Sequence, residues 1–421
     1  MKGANMQTNP YHEQVHHHTF SNGFDLFYIE KKGFAQKFAG VMINYGGADQ
    51  PRDFTLPAGT AHFLEHQLFA KPYGDITDKF EQYEASSNAF TSYNETMYFA
   101  NFTHHTYENI KTLVELVANP YFTEKNVDTE REIILQELKM YQDMPDWQLN
   151  NRLMHMMYGD EPLSQEVVGT EDSLQTITAQ TLTDAYNEYY SAQNMKLVVV
   201  GDLDFNHLID EIEATVKQIK SNSSNIVEEK TTFKDEESKV VKVEGKVESP
   251  KFSIGIKFSE HDFDVARPQL YIAMQILMET LFGLSGQLYQ DLQKQNLVNG
   301  EIDFDINFNR QGDFAIVSGT SQNPQEAATL IKEAFFNASI NQSDFERQKR
   351  KLFGQEIRQL DDFEGYGIEF IESIFDQEDY YQYYTDIQNI SFETCTKLIS
   401  EIKTQSTSQT AILFNQNNVD K

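Results

Sequence analysis

The sequence predicts an α+β protein made of two homologous α/β sandwich domains, each a largely antiparallel sheet packed with helices. Three observations support this fold class. Strand-like segments occur in groups and helical stretches follow them, which favours antiparallel sheets over a doubly wound parallel sheet. The length of 421 residues exceeds one ordinary domain. The second half of the chain also resembles the first, which indicates a duplicated unit.

The repeat is clearest in two helical segments, "TYENIKTLVELVANPYFTEKNVDTEREIILQEL" and "NPQEAATLIKEAFFNASINQSDFERQKRKLFGQEI". Each segment ends in Gln-Glu followed by Leu or Ile, and a closing strand comes later in each half. The spacing from Glu137 to Val198 is 198 − 137 = 61 positions, and from Glu356 to Ile412 it is 412 − 356 = 56. We therefore expect one supersecondary unit to occur twice.

Domain limits follow from the composition between the two halves. Residues 221–240, "SNSSNIVEEKTTFKDEESKV", are polar and charged and are typical of a linker. We expect an N-terminal domain over residues 1–220 and a C-terminal domain over residues 241–421. Within the first domain, the periodicity predicts helices over 106–118, 124–144, 147–157 and 173–190.

Overall composition restricts the class of protein. Hydrophobic residues make up 39% of the chain and aromatic residues 13%, enough for packed cores. The net charge of −31 makes nucleic acid an unfavourable partner, because phosphates would be repelled. The charge has two readings, a solubilising acidic surface or a preference for basic ligands.

Cysteine content and hydropathy bear on the compartment. The only cysteine, Cys395, rules out a disulfide within the chain and fits a reducing compartment. No apolar segment typical of a secretory signal follows Lys2. The most apolar runs, such as "YIAMQILMETLF", are shorter than the ~18 residues expected of a membrane span. We therefore expect a cytoplasmic protein without a membrane partner.

The N-terminal string HEQVH, residues 12–16, matches the H-E-x-x-H pattern of zinc proteases. That pattern binds a metal only on a helix, where residues four apart share a face. Here "HHHTFSNGFDLFYIEKKG" predicts two strands joined at Ser21-Asn22-Gly23 instead. Four residues of a strand span about 13 Å, too far for two ligands of one ion. We expect these histidines to be solvated at the start of a strand.

A second string, HFLEH, carries the inverted pattern H-x-x-E-H at His62, Glu65 and His66. No Pro or Gly interrupts residues 60–70, so a helix is expected and both imidazoles lie on one face. Two imidazoles and one further carboxylate leave a fourth zinc position open for water, which is the pattern of a catalytic site. Glu65 can then act as the general base.

The carboxylate is expected from "DTEREIILQEL", where Glu130 and Glu137 lie two helical turns apart on one face. The alternative interpretation of this string alone is a solvated acidic edge. Its combination with HFLEH favours a metal site.

HFLEH followed some seventy residues later by E-R-x-x-I-x-x-E resembles the pitrilysin/insulysin family, the inverzincins that include the mitochondrial processing peptidases. "VVGTEDSL" (167–174) and "NMKLVVVGDLD" (194–204) also match, and the resemblance covers almost the whole chain in the manner of a short bacterial member. It implies a Zn²⁺ site formed by the ligands His62, His66 and Glu137. It further implies that Glu65 is the catalytic base and that Glu130 is an acid beside the site.

The segment "NAFTS" (88–92) resembles the family's substrate-binding edge strand, which implies peptide contacts from Asn88, Ala89, Phe90 and Thr91. An edge strand presents unpaired backbone groups to which an extended peptide can add with little sequence preference. The alternative is an ordinary covered strand. Cleavage of unfolded peptides is therefore expected.

The second half lacks the corresponding chemistry. "YIAMQILMETLFG" contains no histidine, so one metal site per chain is expected. In the family the region of "SGQLYQDLQKQNLVNG" carries an Arg and a Tyr that reach the substrate carbonyl, whereas Gln293 and Asn299 stand here. We therefore expect a homologous sister subunit to supply the Arg/Tyr pair in a heterodimer, with a homodimer as the alternative assembly.

Three functional interpretations remain. The first is a zinc endopeptidase for oligopeptides or small unfolded chains. The second is a non-catalytic peptide-binding or structural subunit of the same fold, against which stands the presence of the base Glu65. The third is a processing enzyme dedicated to one peptide, which the sequence does not distinguish from general clearance.

Overall fold

The computed structural model describes residues 6–8, 13–221 and 238–415. The predicted linker, residues 221–240, lies largely outside the described residues, at positions 222–237. The described strands are β1 (Met6–Thr8), β2 (Gln14–Thr19), β3 (Asp25–Glu30), β4 (Lys37–Ile43), β5 (Ala70–Lys71), β6 (Gly74–Asp75), β7 (Ala85–Thr91), β8 (Thr96–Phe102), β9 (Met195–Gly201), β10 (Val240–Glu244), β11 (Lys251–Phe258), β12 (Asn299–Asn309), β13 (Gly312–Thr320) and β14 (Thr407–Phe414).

Helices occupy most of the remaining described chain. They are α1 (Thr60–Gln67), α2 (Thr77–Gln82), α3 (Thr106–Ala118), α4 (Glu124–Gln142), α5 (Pro145–Tyr158), α6 (Glu171–Thr176), α7 (Ala179–Tyr189), α8 (Phe205–Val216), α9 (Arg267–Phe282), α10 (Gln287–Lys294), α11 (Pro324–Phe336), α12 (Gln342–Gln359), α13 (Phe363–Phe375), α14 (Tyr380–Asn389) and α15 (Phe392–Gln405). None of these helices combines the length and the apolarity that a membrane span requires.

The two sheets confirm the predicted fold class and the internal repeat. The first has the strand order β1-β2-β3-β9-β4-β8-β7 and the second the order β10-β14-β11-β13-β12. The last five strands of the first sheet match the second sheet one for one. In both sheets the closing strand pairs in parallel with the preceding strand of the order, β3–β9 and β10–β14. The remaining pairs of both sheets are antiparallel.

The helical part of the repeat is equally regular. Helix α3 and helix α11 each have 13 residues. Each is followed by a long helix, α4 with 19 residues and α12 with 18 residues. Because both long helices precede the closing strand of their sheet, one α/β unit occurs twice, as the sequence predicts.

The chain forms two compact units. Each unit includes one helix from the other half of the sequence: α5 belongs to the second unit and α13 to the first. Helix α5 packs on β11 and β14 of the second sheet, and helix α13 packs on β4 and β9 of the first. The units therefore do not coincide with the ranges 1–220 and 241–421. An amphipathic helix shows in its sequence that one face is buried, but not which sheet buries it.

The helix predicted over 173–190 is two helices, α6 and α7, with a break at Ile177 and Thr178. Thr178 has an extended backbone, and its side chain accepts a hydrogen bond from the backbone N–H of Thr181, which starts α7. The freed carbonyls at the end of α6 are used by Arg131, whose guanidinium donates to the carbonyls of Leu174 (3.0 Å) and Ile177 (2.7 Å). Arg131 thereby ties α4 to this break.

The N-terminal hairpin forms as the Asn-Gly signal predicts, with Gly23 at φ +92° between β2 and β3. Of the HEQVH string, His12 lies outside the described residues, Glu13 directly precedes β2 and His16 lies within it. The His16 ring stacks on Tyr28 at a centroid distance of 5.4 Å, so it packs against an aromatic ring instead of standing free in solvent.

Two helical glycines test the packing of α13. A methyl group on Gly367 would approach two ring atoms of the buried Phe38 to 2.5 and 2.7 Å, whereas one on Gly354 in the exposed face of α12 meets nothing within 4 Å. We expect Gly367→Ala to lower the free energy of unfolding by about 1–3 kcal/mol through overpacking. The matched control Gly354→Ala should raise it by about 1 kcal/mol through helix propensity.

Denaturant unfolding followed by circular dichroism measures both changes. Equal shifts of the same sign in the two variants would show that α13 does not pack closely on β4.

Candidate metal centre

Helix α1 carries HFLEH and is held by a close approach of two loops. Gly59, directly before the helix, has φ +88°, and Gly169 also has φ +88°. A methyl group on Gly59 would lie 2.6 Å from the carbonyl oxygen of Val168, and one on Gly169 would lie 2.7 Å from that of Ala58. Only glycine permits both the backbone conformation and this approach. The segment "VVGTEDSL" therefore positions the start of α1.

Helix α4 brings the acidic residues to α1. Val127, Ile134 and Leu138 are its buried residues, which place it against the protein core. Glu130 and Glu137, two turns apart, are both half-buried. Helix α4 extends without a break over both residues, as the sequence predicts.

His62, His66 and Glu137 converge in space. One ligand atom from each lies within 4.8 Å of the other two. The Nε2 atoms of His62 and His66 lie 3.7 and 3.4 Å from Oε2 of Glu137. Ligands about 2.0–2.1 Å from a tetrahedral zinc ion are separated by roughly 3.3–3.4 Å, so the two distances to Glu137 are close to the ligand spacing of such an ion.

Glu130 contacts the other nitrogen of His66. Its Oε1 lies 3.0 Å from Nδ1 of His66, on the ring edge opposite Nε2. A carboxylate in this position fixes the tautomer and the orientation of a metal-binding imidazole and raises its basicity. Glu130 thus contacts His66 on the ring nitrogen that does not face Glu137.

The ionisable groups of the cluster influence one another. Burial, together with the neighbouring His66, lowers the pKa of His62 below its ordinary value. Burial also acts to lower the pKa of His66, but hydrogen bonds with Glu130 and Glu137 outweigh it and raise that pKa. His66 is therefore the imidazole that must give up a proton when a cation binds.

Glu65 lies next to the cluster and is 7% exposed. Burial raises the pKa of its carboxyl group, while a hydrogen bond from Thr91 acts in the opposite direction. The Thr91 hydroxyl donates to Oε2 of Glu65 at 2.5 Å. A buried carboxylate held at one oxygen has the orientation that a general base needs.

Thr91 is the last residue of β7, which is the outer strand of the first sheet on the described chain. The register pairs Thr91 with Thr96, Phe90 with Met97, Ala89 with Tyr98 and Asn88 with Phe99 on β8. Successive side chains alternate between the two faces of the sheet. Thr91 therefore faces α1, whereas the Phe90 ring points to the other face and approaches Phe99 with centroids 6.4 Å apart.

Gln293 and Asn299, which stand where the family carries an Arg and a Tyr, lie in the second unit. Gln293, near the end of α10, donates to the hydroxyl of Tyr289 at 2.6 Å. The Tyr289 hydroxyl in turn donates to the carbonyl of Gly300 at 3.2 Å. Asn299 is the first residue of β12.

In the second unit an ion pair joins the two helices that correspond to α1 and α4. Along the chain, helix α9 comes between β11 and β12, as α1 comes between β4 and β7. Its residue Glu279 accepts a hydrogen bond from Nζ of Lys351 at 2.7 Å. The side chain of Gln348 also donates to the backbone carbonyl of Glu279 at 3.1 Å. Lys351 and Gln348 belong to α12, the counterpart of α4.

Sequence reasoning missed three contributors to the first site. These are Arg131, Gly59 with Gly169, and the role of Thr91 as a donor to Glu65. Nothing in the sequence except the presence of glycine at positions 59 and 169 indicated that the backbone has a positive φ there. The contact of Thr91 depends on strand register, which no local pattern in the sequence encodes.

Two family models match the chain. "Insulinase (Peptidase family M16)" matches residues 28–171, and "Peptidase M16 inactive domain" matches residues 176–352. The uncharacterized zinc protease YmfH of Bacillus subtilis is 30% identical over 406 residues, 92% of this chain and 94% of that protein. The uncharacterized zinc protease YmxG of the same bacterium is 23% identical over 358 residues, which cover 82% of this chain and 85% of YmxG.

Solved structures share the fold. An M16-like peptidase from Alicyclobacillus acidocaldarius superposes with a TM-score of 0.85 at 22% identity, covering 96% of this chain and 99% of that chain. The periplasmic protease PqqL from Escherichia coli superposes with a TM-score of 0.75 at 16% identity. That match covers 99% of this chain but 48% of PqqL.

The contact between Glu130 and His66 makes a prediction about metal affinity. We expect Glu130→Gln to weaken zinc binding by about 10–100-fold, because an amide orients the imidazole without supplying charge. The matched control is Glu132→Gln, an exposed residue of the same helix. Competition with a chromogenic chelator measures both affinities. An equal affinity in the two variants would contradict the positioning role of Glu130.

Proposed function

This chain belongs to the insulinase-type M16 peptidase family, and we propose that it is a zinc-dependent endopeptidase acting on oligopeptides or small unfolded polypeptides. The observation that carries the proposal is the convergence of His62, His66 and Glu137 with the buried carboxylate of Glu65 beside them. Two imidazoles and one carboxylate are a ligand set of hydrolytic zinc that leaves a position open for water or substrate.

The bound zinc would polarise the scissile carbonyl and lower the pKa of a water molecule. Glu65 accepts the proton of the attacking water and then gives it to the leaving amine nitrogen. Its raised pKa suits both steps, since a base that titrates closer to neutral pH can also act as an acid. The Thr91 hydroxyl holds one carboxylate oxygen and leaves the other available.

The proposed substrate-binding segment is β7, with Asn88, Ala89, Phe90 and Thr91. A peptide that adds to this outer strand forms backbone hydrogen bonds and therefore must be extended. Folded proteins rarely offer a free extended segment, which supports small or unfolded substrates. Because Thr91 ends the same strand, the position of the bound peptide and that of the base depend on one element.

The proposed assembly pairs this chain with a homologous subunit that supplies Arg and Tyr. Its motivation is that Gln293 and Asn299 occupy the positions where the family carries those residues. The match to about half of PqqL also supports it, because that longer chain has the length of two such proteins. A homodimer is the alternative assembly.

A second candidate function is peptide binding without cleavage. The M16 "inactive domain" match over residues 176–352 is compatible with it. A binding subunit, however, has no need of a buried carboxylate beside a metal site. The presence of Glu65 therefore favours the enzymatic function over binding alone.

Replacement of the base separates the two functions. We expect Glu65→Gln to reduce peptide turnover by about 10²–10⁴-fold, the usual contribution of general acid–base catalysis. Zinc content should be unchanged, because Glu65 is not among the three converging ligands. The control is Glu81→Gln, an exposed residue of α2. Turnover that survives Glu65→Gln at the wild-type rate would exclude this mechanism.

Removal of the Thr91 hydroxyl tests the orientation of the base. We expect Thr91→Val to lower kcat by about tenfold to a hundredfold, the value of a hydrogen bond to a charged group of about 1.5–3 kcal/mol. Since that bond lowers the pKa of Glu65, its loss should move the acidic limb of the pH–rate profile to higher pH. Thr91→Ser keeps the hydroxyl and should restore both quantities. Equal defects in Val and Ser would indicate a packing role only.

Mixing experiments test the assembly. The purified chain alone should cleave peptides slowly, and addition of a homologous sister chain with the Arg/Tyr pair should raise kcat by about 10²-fold for each donor supplied. Turnover is measured with a quenched fluorescent peptide and assembly by analytical ultracentrifugation. Full activity of the isolated chain would contradict the proposed pairing.

A further inference from the structure

Helix α8 covers a defined surface of the first unit. It packs along α3, and Leu208, Ile212 and Val216, spaced four residues apart, are buried. Its first residue, Phe205, stacks on Tyr28 of β3 with ring centroids 5.6 Å apart and an interplanar angle of 15°. The apolar stripe of α8 therefore shields both a helix and the adjoining strand.

The second unit repeats the elements that surround α8. Helix α11 is the counterpart of α3, and β10 and β14 are the counterparts of β3 and β9. Helix α11 packs on β11 and β14. In the described part of the second unit no helix takes the place that α8 has on α3.

Among the described residues, an open groove of about 760 Å³ lies along α11. Its lining includes Pro250, Leu330, Ile412 and Phe414, an apolar surface contributed by α11, the end of β14 and the loop before β11. All four are buried or half-buried. The groove thus offers an apolar surface along α11, the counterpart of the helix that α8 covers in the first unit.

Charge around the groove distinguishes it from a simple apolar cleft. Glu326 and Glu333 of α11 line it and are exposed. Lys242 of β10 is the cation among its lining residues. With a net charge of −31 on the whole chain, the groove favours a ligand with basic residues beside its apolar stripe.

We propose that this groove binds an amphipathic helix of a partner protein, with apolar residues at positions i, i+4 and i+8 and basic residues on the flanks. The internal repeat supports a helical ligand, since α8, with buried residues four positions apart, covers the helix in the first unit that corresponds to α11. The acidic side chains of α11 supply the charge preference. Binding is of the helix-in-groove kind.

The probe is a fluorescent peptide with the sequence of residues 204–220 in which Asp210, Glu211 and Glu213 are replaced by Lys. It is titrated against the full chain carrying Glu65→Gln, so that the probe is not cleaved, and binding is followed by fluorescence anisotropy. We expect saturable binding. The unmodified acidic sequence should bind at least fivefold more weakly.

Two controls locate the contact. Asp in place of Leu208 and Ile212 in the probe should weaken binding at least tenfold. In the protein, Thr329→Arg fills the groove from an exposed position of α11 and should have the same effect, whereas Thr404→Arg on α15 should have none. Circular dichroism checks that both protein variants are folded.

Absence of saturable binding, or equal binding by the Thr329→Arg and Thr404→Arg proteins, would overturn the proposal. Since the groove contains none of the metal ligands, these outcomes are independent of the peptidase assays.

Discussion

The candidate metal centre depends on one contact, the meeting of α1 with α4 at His62, His66 and Glu137. Several neighbouring residues hold the two helices in place. Gly59 and Gly169 allow the loops before and beside α1 to touch, and Arg131 ties α4 to the break between α6 and α7. Glu130 then orients the ring of His66 from behind. The cost of gathering three carboxylates and two imidazoles in a partly buried space is large unless a cation balances them.

The convergence of His62, His66 and Glu137 was predictable because both patterns are helical and local. The helical period of 3.6 residues alone places the two histidines of H-x-x-E-H on one helix face and the two glutamates seven residues apart on another. The contact of Thr91 with Glu65 was not predictable in this way, because it depends on the register of β7 with β8 and on the position of α1 against the sheet. The break at Thr178 had a sequence signal, the capping pattern Thr-x-x-Thr, which reciprocal hydrogen bonds with Thr181 now explain.

The fold itself was predictable to the level of the repeat, and not below it. Self-similar helices and closing strands indicate two copies of one unit, and the matching strand orders follow from that. The exchange of α5 and α13 between the units leaves no trace in hydrophobic periodicity. Gly367 is the residue that carries this information, since its missing side chain admits Phe38, but an isolated helical glycine has several meanings in a sequence.

The ion pair of Lys351 with Glu279 joins α9 to α12 through side chains of the protein itself. The corresponding contact of α1 with α4 brings imidazoles and carboxylates together without a lysine or arginine among the three converging residues. With a metal ion bound there as proposed, a chelator would act on the contact of α1 with α4 and leave that of α9 with α12 unchanged.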